Sequence, residues 1–210
     1  IFATTVQRVT SDAVAHIIDS APSAYRWGAQ GVSPLRMYHA PLPSPLHHAA
    51  AELRTQPPAR LFEALCRAAC AAHNTAALAY VFGFCTNYAL SRVTSRFIDE
   101  QADRLVTYMP GLSAAARRQL AASDIDGIMI EDYIDTASAG YAAYRLLDAD
   151  APECTAAARV LAQAVHATLG THVSPADVYR GMHDMRHILR LAHGGAPVRS
   201  RLQKLEHLLG

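Results

Sequence analysis

Three polar side chains on one stretch invite a chemical reading. In "YVFGFCTNYALSRVTSRFID" (80–99), Asn87, Ser91 and Ser95 recur every four residues. On a helix that step overshoots a full turn by about 40°, so the three lie along one stripe. An amide and two hydroxyls hydrogen-bond readily but are poor metal ligands beside imidazole and carboxylate. Better ligand types lie elsewhere. Glu131 and Asp135 are four apart in the apolar run "IMIEDYIDTA". A carboxylate there is costly on an inward face unless a cation or partner meets it. His47 and His48 are adjacent after "PLPSPL", and His39 precedes them. His39, His47, His48 and Glu131, with Asp99 or Asp135 in support, are the residues from which a zinc site would be assembled. His183 and His187 also share a helix face, but Arg180, Asp184, Arg186 and Arg190 mark that face as a charged, solvated stripe.

Other chemistries leave no trace. There is no G-x-S-x-G nucleophile turn, no P-loop and no dinucleotide fingerprint. "GAQG" at 28–31 is too short to cradle a phosphate and precedes no obvious helix. The net charge of +1, with no basic stripe interleaved with aromatics, gives no expectation of nucleic-acid binding. Basic residues are almost all Arg, which reads as a compositional bias without functional weight.

The elements that would position these side chains are helical. Hydrophobic residues make up 51% and charged residues 18% of 210, a globular balance that suits one domain spanning 1–210. Strand signals are nearly absent, and the reading is an all-α bundle of seven or eight helices. Thr10 or Ser11 caps a first helix. Arg36 to Pro58 is rich in proline and reads as an extended loop, and Pro57-Pro58 then opens a helix through "ARLFEALCRAACAAH". The helix containing Asn87 is apolar nearly all round in its first half, as a central buried helix would be. A short helix capped at Ser113 and a second, long one capped at Ser123 and interrupted by Gly127 and Gly140 should follow. Then come a helix ending at Gly170, one with Ser174 at its N-cap and Pro175 at its first position, and a closing amphipathic helix over 197–210. Cys66, Cys70, Cys85 and Cys154 include no CxxC pair and read as small buried apolar residues, which suits a reducing cytoplasm. No apolar run is long enough for a transmembrane segment. The chain begins at Ile1 rather than Met, which leaves room for a removed upstream segment.

In order, "GAQGVSPLRMYH" (28–39), "PLHHAAAELRTQPPARLFEAL" (45–65), "GFCTNYALSRVTSRFI" (83–98), "GIMIEDYID" (127–135) and "VYRGMHDMRHILRLAH" (178–193) resemble the bacterial zinc-dependent phospholipase C family in its short, all-helical form. The resemblance covers most of the chain. It implies a bundle whose facing helices hold zinc ions that activate water for phosphodiester hydrolysis. It also says where ligands are lost. Ser33 stands for an Asp, Asn87 for a His, Ser91 for an Asp, Ser95 for a His and Gly127 for a His. Glu131 and Asp135 match the family's carboxylates, His47 or His48 matches a loop His, and Gln7 falls near another His position. One lost ligand can be replaced by water, but five losses empty a multinuclear site.

Three functional readings follow. The first is a phospholipase C-like protein with a degenerate metal site, a non-catalytic pseudoenzyme that binds a small-molecule or lipid-like ligand, or regulates, through the groove the metals would have lined. It expects no cofactor. The second is a surviving zinc-dependent phosphodiesterase built on His39, His47, His48 and Glu131. The third is a structural or oligomerising helical protein, with a protein partner or second copy against its surface. The third expects a sealed interface at Asn87, Ser91 and Ser95; the first expects a cavity.

Overall fold

A computed structural model describes residues 10–134 and 141–193, together with Val6. Gln7, Asp135, Gly140 and the closing helix expected over 197–210 lie outside the described residues. Among those described there are nine α-helices and no strand. They are α1 (Asp12–Ser20), α2 (Pro22–Gly28), α3 (Ser33–Met37), α4 (Pro45–Leu53), α5 (Pro58–Ala72), α6 (Thr75–Tyr108), α7 (Ala114–Ile134), α8 (Cys154–Leu169) and α9 (Pro175–His193). A 3₁₀ turn, Ala143–Arg145, precedes α8. No described helix is long and apolar enough to cross a membrane.

The helix count exceeds the sequence expectation for two local reasons. The segment 22–37 holds two helices of seven and five residues, too short to show a hydrophobic period. The proline-rich stretch holds α4, because Pro45 occupies its first turn, where the missing N–H costs nothing. Ser44 caps it, accepting from the Leu46 N–H at 3.2 Å. Conversely, the two helices expected after Ser113 are one. Ser113 Oγ does cap α7, accepting from the Ala116 N–H at 3.2 Å. Ser123 lies inside the helix, and Gly127 is accommodated there without a break. The long helix expected to run on through 141–149 instead gives way to the 3₁₀ turn.

Other boundaries follow their residues closely. Asn74 caps α6, its Oδ1 accepting from the Ala76 N–H at 2.7 Å. Gly170 ends α8 with φ of 74°, a left-handed conformation that glycine adopts without steric cost. Ser174 and Asp177 form a reciprocal cap on α9. The Asp177 N–H donates to Ser174 Oγ at 3.1 Å, and the Ser174 N–H and hydroxyl donate to Asp177 Oδ2 at 3.3 and 2.6 Å.

The core is rich in alanine, and it is built by close helix crossings around large anchors. Trp27, Tyr80, Leu35, Leu65, Leu161 and Met182 are fully buried. At the α2–α6 crossing, glycine faces helix backbone from both sides. A Cβ on Gly28 would collide with the Tyr80 carbonyl oxygen, and one on Gly83 with the Tyr25 carbonyl oxygen. Trp27 Nε1–H donates to the Asp148 carbonyl at 2.9 Å, which ties the loop before α8 to α2. The first half of α6 is the central buried helix expected from the sequence, with Ala76, Ala77, Ala79, Tyr80, Val81, Gly83, Phe84 and Thr86 buried. Beyond Thr86 only Ala102 is buried. That second half packs with α7, whose main helix contact among the described residues is α6 itself.

The cysteines depart from expectation. Cys154 is buried, but Cys66, Cys70 and Cys85 are exposed, and all four are free thiols. Cys66 and Cys70 fall on the outer face of α5, whose buried positions are Leu61, Ala64, Leu65, Ala68 and Ala69.

Candidate functional site

A cavity of about 580 Å³ opens between the body and the α6–α7 pair. Its floor is apolar. Leu53 comes from α4, Leu61 and Phe62 from α5, and Phe84 and Tyr88 from α6. The rings interlock edge to face, with Phe62 centred 5.9 Å from Phe84 and 5.1 Å from Tyr88. The far wall is the first half of α7, through Ala115, Arg118, Gln119 and Ala122. The near wall is the segment after α2, with Gln30, Val32, Ser33 and Arg36.

Three of the five positions read as lost ligands meet here: Ser33, Asn87 and Ser91 line this cavity. Ser95 lies one turn beyond Ser91 and does not line it, and neither does Gly127 on α7. Asn87 is engaged. Its Nδ2–H donates to the Ala29 carbonyl at 2.9 Å, which satisfies a backbone acceptor just past the end of α2. Its Oδ1 lies over Gly31, where φ is 58° and a Cβ would come within 2.5 Å of that oxygen. Asn87 therefore holds the "GAQG" turn in place, and the turn carries Gln30 to the cavity wall. Gly31 is glycine for two reasons, its positive φ and the side chain pressed against it. The short helix α3 follows this turn, although the sequence showed no obvious helix there.

The ligand types singled out from the sequence do not converge. Among the described residues no group of three or more His, Cys, Asp or Glu is placed to hold a metal ion. His47 Nε2 meets the Tyr38 carbonyl at 2.8 Å, while His48 is exposed. His39 is exposed, with φ of 52°, and its backbone N–H donates to Asp184 Oδ2 at 2.9 Å. Glu131 is exposed on α7, not facing inward. Asp99 is exposed too, and accepts from Arg118 Nε at 2.6 Å. Of these, none lines the cavity. His183 and His187 sit in a surface ion network. Asp150 accepts from Arg186 at 3.1 Å with His183 Nε2 at 3.7 Å, and Arg190 meets His187 Nδ1 at 3.2 Å.

The charged groups that do line the cavity are arginines. Arg36, Arg54 and Arg118 contribute three formal positive charges, and no Asp or Glu lines it. Arg118 shares its charge with Asp99 at the outer edge. Arg36 and Arg54 make no ion pair among the described residues. Both also line a smaller adjoining hollow with His47 and Ala51. Sequence reasoning passed over all three. They come from α3, from the end of α4 and from α7, with no spacing in common, and arginine is abundant throughout the chain.

The buried groups Cys154, Tyr80 and Tyr25 do not line this cavity. Burial pushes the Cys154 thiol up to about 12, while its S–H donates to the Asp148 carbonyl at 3.1 Å, so it is an unreactive thiol. Burial also raises the Tyr80 phenol, whose oxygen has no hydrogen-bond partner among the described residues. The Tyr25 phenol is raised by burial as well, and it shares a hydrogen bond of 3.1 Å with Thr86.

Comparison with family models, with curated proteins and with solved structures returns no match.

Proposed function

We propose that this chain is a phospholipase C-like helical protein with an emptied metal site, and that it works as a non-catalytic binding protein through the cavity at Ser33, Asn87 and Ser91. The observation that carries this reading is the cavity itself, which brings together three of the five positions whose ligands the resemblance marks as lost. A structural protein with packing alone at that stripe would seal it. The cavity is within the usual range for small-molecule sites and has the usual make-up, an apolar floor with a few polar groups at the rim. Asn87 supports the reading further, because a ligand position has become a clamp that shapes the wall.

The test is elemental analysis and turnover on protein purified without chelators. The expected result is less than stoichiometric zinc and no hydrolysis of nitrophenyl-phosphocholine. One zinc or more per chain together with chelator-sensitive hydrolysis would overturn it in favour of a rebuilt hydrolase.

A further inference from the structure

Resting on the reading of this cavity as a binding site, we infer that its ligand is a small organic oxyanion, a carboxylate or phosphate monoester, bearing an apolar arm. Arg36 and Arg54 would take the anion, and Phe62, Phe84 and Tyr88 the arm.

Three observations lead there. The charge lining the cavity is of one sign, from Arg36, Arg54 and Arg118, with no lining carboxylate. The Arg36 and Arg54 guanidinium groups are not spent on ion pairs among the described residues, unlike Arg118, which pairs with Asp99. A guanidinium presents paired N–H donors that match a carboxylate or phosphate edge, so two unspent ones at one rim suit an oxyanion more than a neutral polar group. Beside them lies an aromatic and aliphatic floor that a bare inorganic anion would leave uncovered, and covering it is the favourable term an apolar arm supplies. Gln30 and Gln119 add side-chain amides to the walls, and Ser33 and Ser91 add hydroxyls. The same charge distribution disfavours a zwitterion such as phosphocholine. Its ammonium would enter the field of Arg36 and Arg54, unpaired among the described residues, with no carboxylate lining the cavity to meet it.

Isothermal titration calorimetry on the full chain, with single-chain probes below their aggregation concentrations, separates the outcomes. Octyl phosphate and octanoate should bind. Octyl glucoside, octylphosphocholine and inorganic phosphate should each bind about ten-fold more weakly or worse. The double variant Arg36→Met, Arg54→Met keeps the aliphatic stems. It should lose about ten-fold or more toward octyl phosphate while leaving octyl glucoside binding and thermal stability unchanged. Octyl glucoside or octylphosphocholine binding as tightly as octyl phosphate, or a double variant with wild-type affinity, overturns the oxyanion assignment but leaves the cavity as a binding site. Inorganic phosphate matching octyl phosphate removes the apolar arm. If no probe binds at all, the binding-site reading falls, and the ligand class with it.

Discussion

The two halves of α6 belong to one uninterrupted helix and live in different worlds. From Thr75 to Thr86 eight of its twelve residues are buried, and it crosses α2 so closely that Gly28 and Gly83 meet main-chain atoms of the other helix. From Asn87 to Tyr108 it is an arm. Val93 is 79% exposed, Phe97 52% and Tyr108 80%, and among the described residues α7 packs along it. The difference shows where the stability of this chain is concentrated. A helix survives with little burial when it continues a segment that is fully buried, because extending a helix costs far less than nucleating one. The cavity sits at the changeover, with Phe84 on the body side and Tyr88 and Ser91 on the arm side.

The sharpest way to break the contrast is Gly83→Ala. The added Cβ meets the Tyr25 carbonyl, which is main chain and cannot swing aside, so the crossing must open. A loss of about 3 kcal/mol or more in chemical denaturation is expected. A loss below about 1 kcal/mol would mean that the crossing is not what locks the body.

A smaller effect is expected at the edge of the body. Ser174→Ala removes the α9 cap and should cost about 1 kcal/mol at neutral pH. The Ser174 hydroxyl, and after it the Tyr38 hydroxyl and the Ser174 N–H, hold the Asp177 carboxyl below its ordinary value. A carboxyl depressed in the folded state stabilises above its unfolded value of about 3.9 and loses that contribution as pH falls through its folded value. The gap between wild type and Ser174→Ala should therefore narrow as pH drops below about 4, read by denaturation across a pH series. A gap that stays constant to pH 2 would separate the cap from the ionised carboxylate.

The smallest effect belongs to the arm. Val93→Ser should stay within about 0.5 kcal/mol, since its side chain has little surface left to lose. A much larger loss, accompanied by a change in sedimentation, would show that the arm is covered by another chain in solution.

Much of the body was readable from residues alone. Pro57-Pro58, Gly170 and Ser174-Pro175 each mark a helix end through local chemistry that needs no tertiary partner. The apolar first half of α6 announced its burial by lacking a polar face. What stayed hidden depends on contacts distant in sequence or on segments too short to carry a period. The helices α2 and α3 are of that kind, as is α4, whose prolines read as breakers although Pro45 is a starter. Exposed Cys66 and Cys70 follow from which face of α5 the body takes, and residue type does not decide that. At the cavity, the stripe of Asn87 and Ser91 was visible by spacing. The arginines were not, since Arg36, Arg54 and Arg118 become neighbours of one space only when three elements fold around it.

The glycine crossing has a mechanical consequence. At 1.5 Å per residue α6 is about 51 Å long, and its grip on α2 lies near one end. Gly83 then marks where the anchored part of the helix gives way to an overhang. Asp99, bound to Arg118 of α7, stands about 24 Å beyond that crossing, and Tyr108 about 37 Å. The Asp99–Arg118 pair therefore braces α7 against the overhang rather than against the crossing.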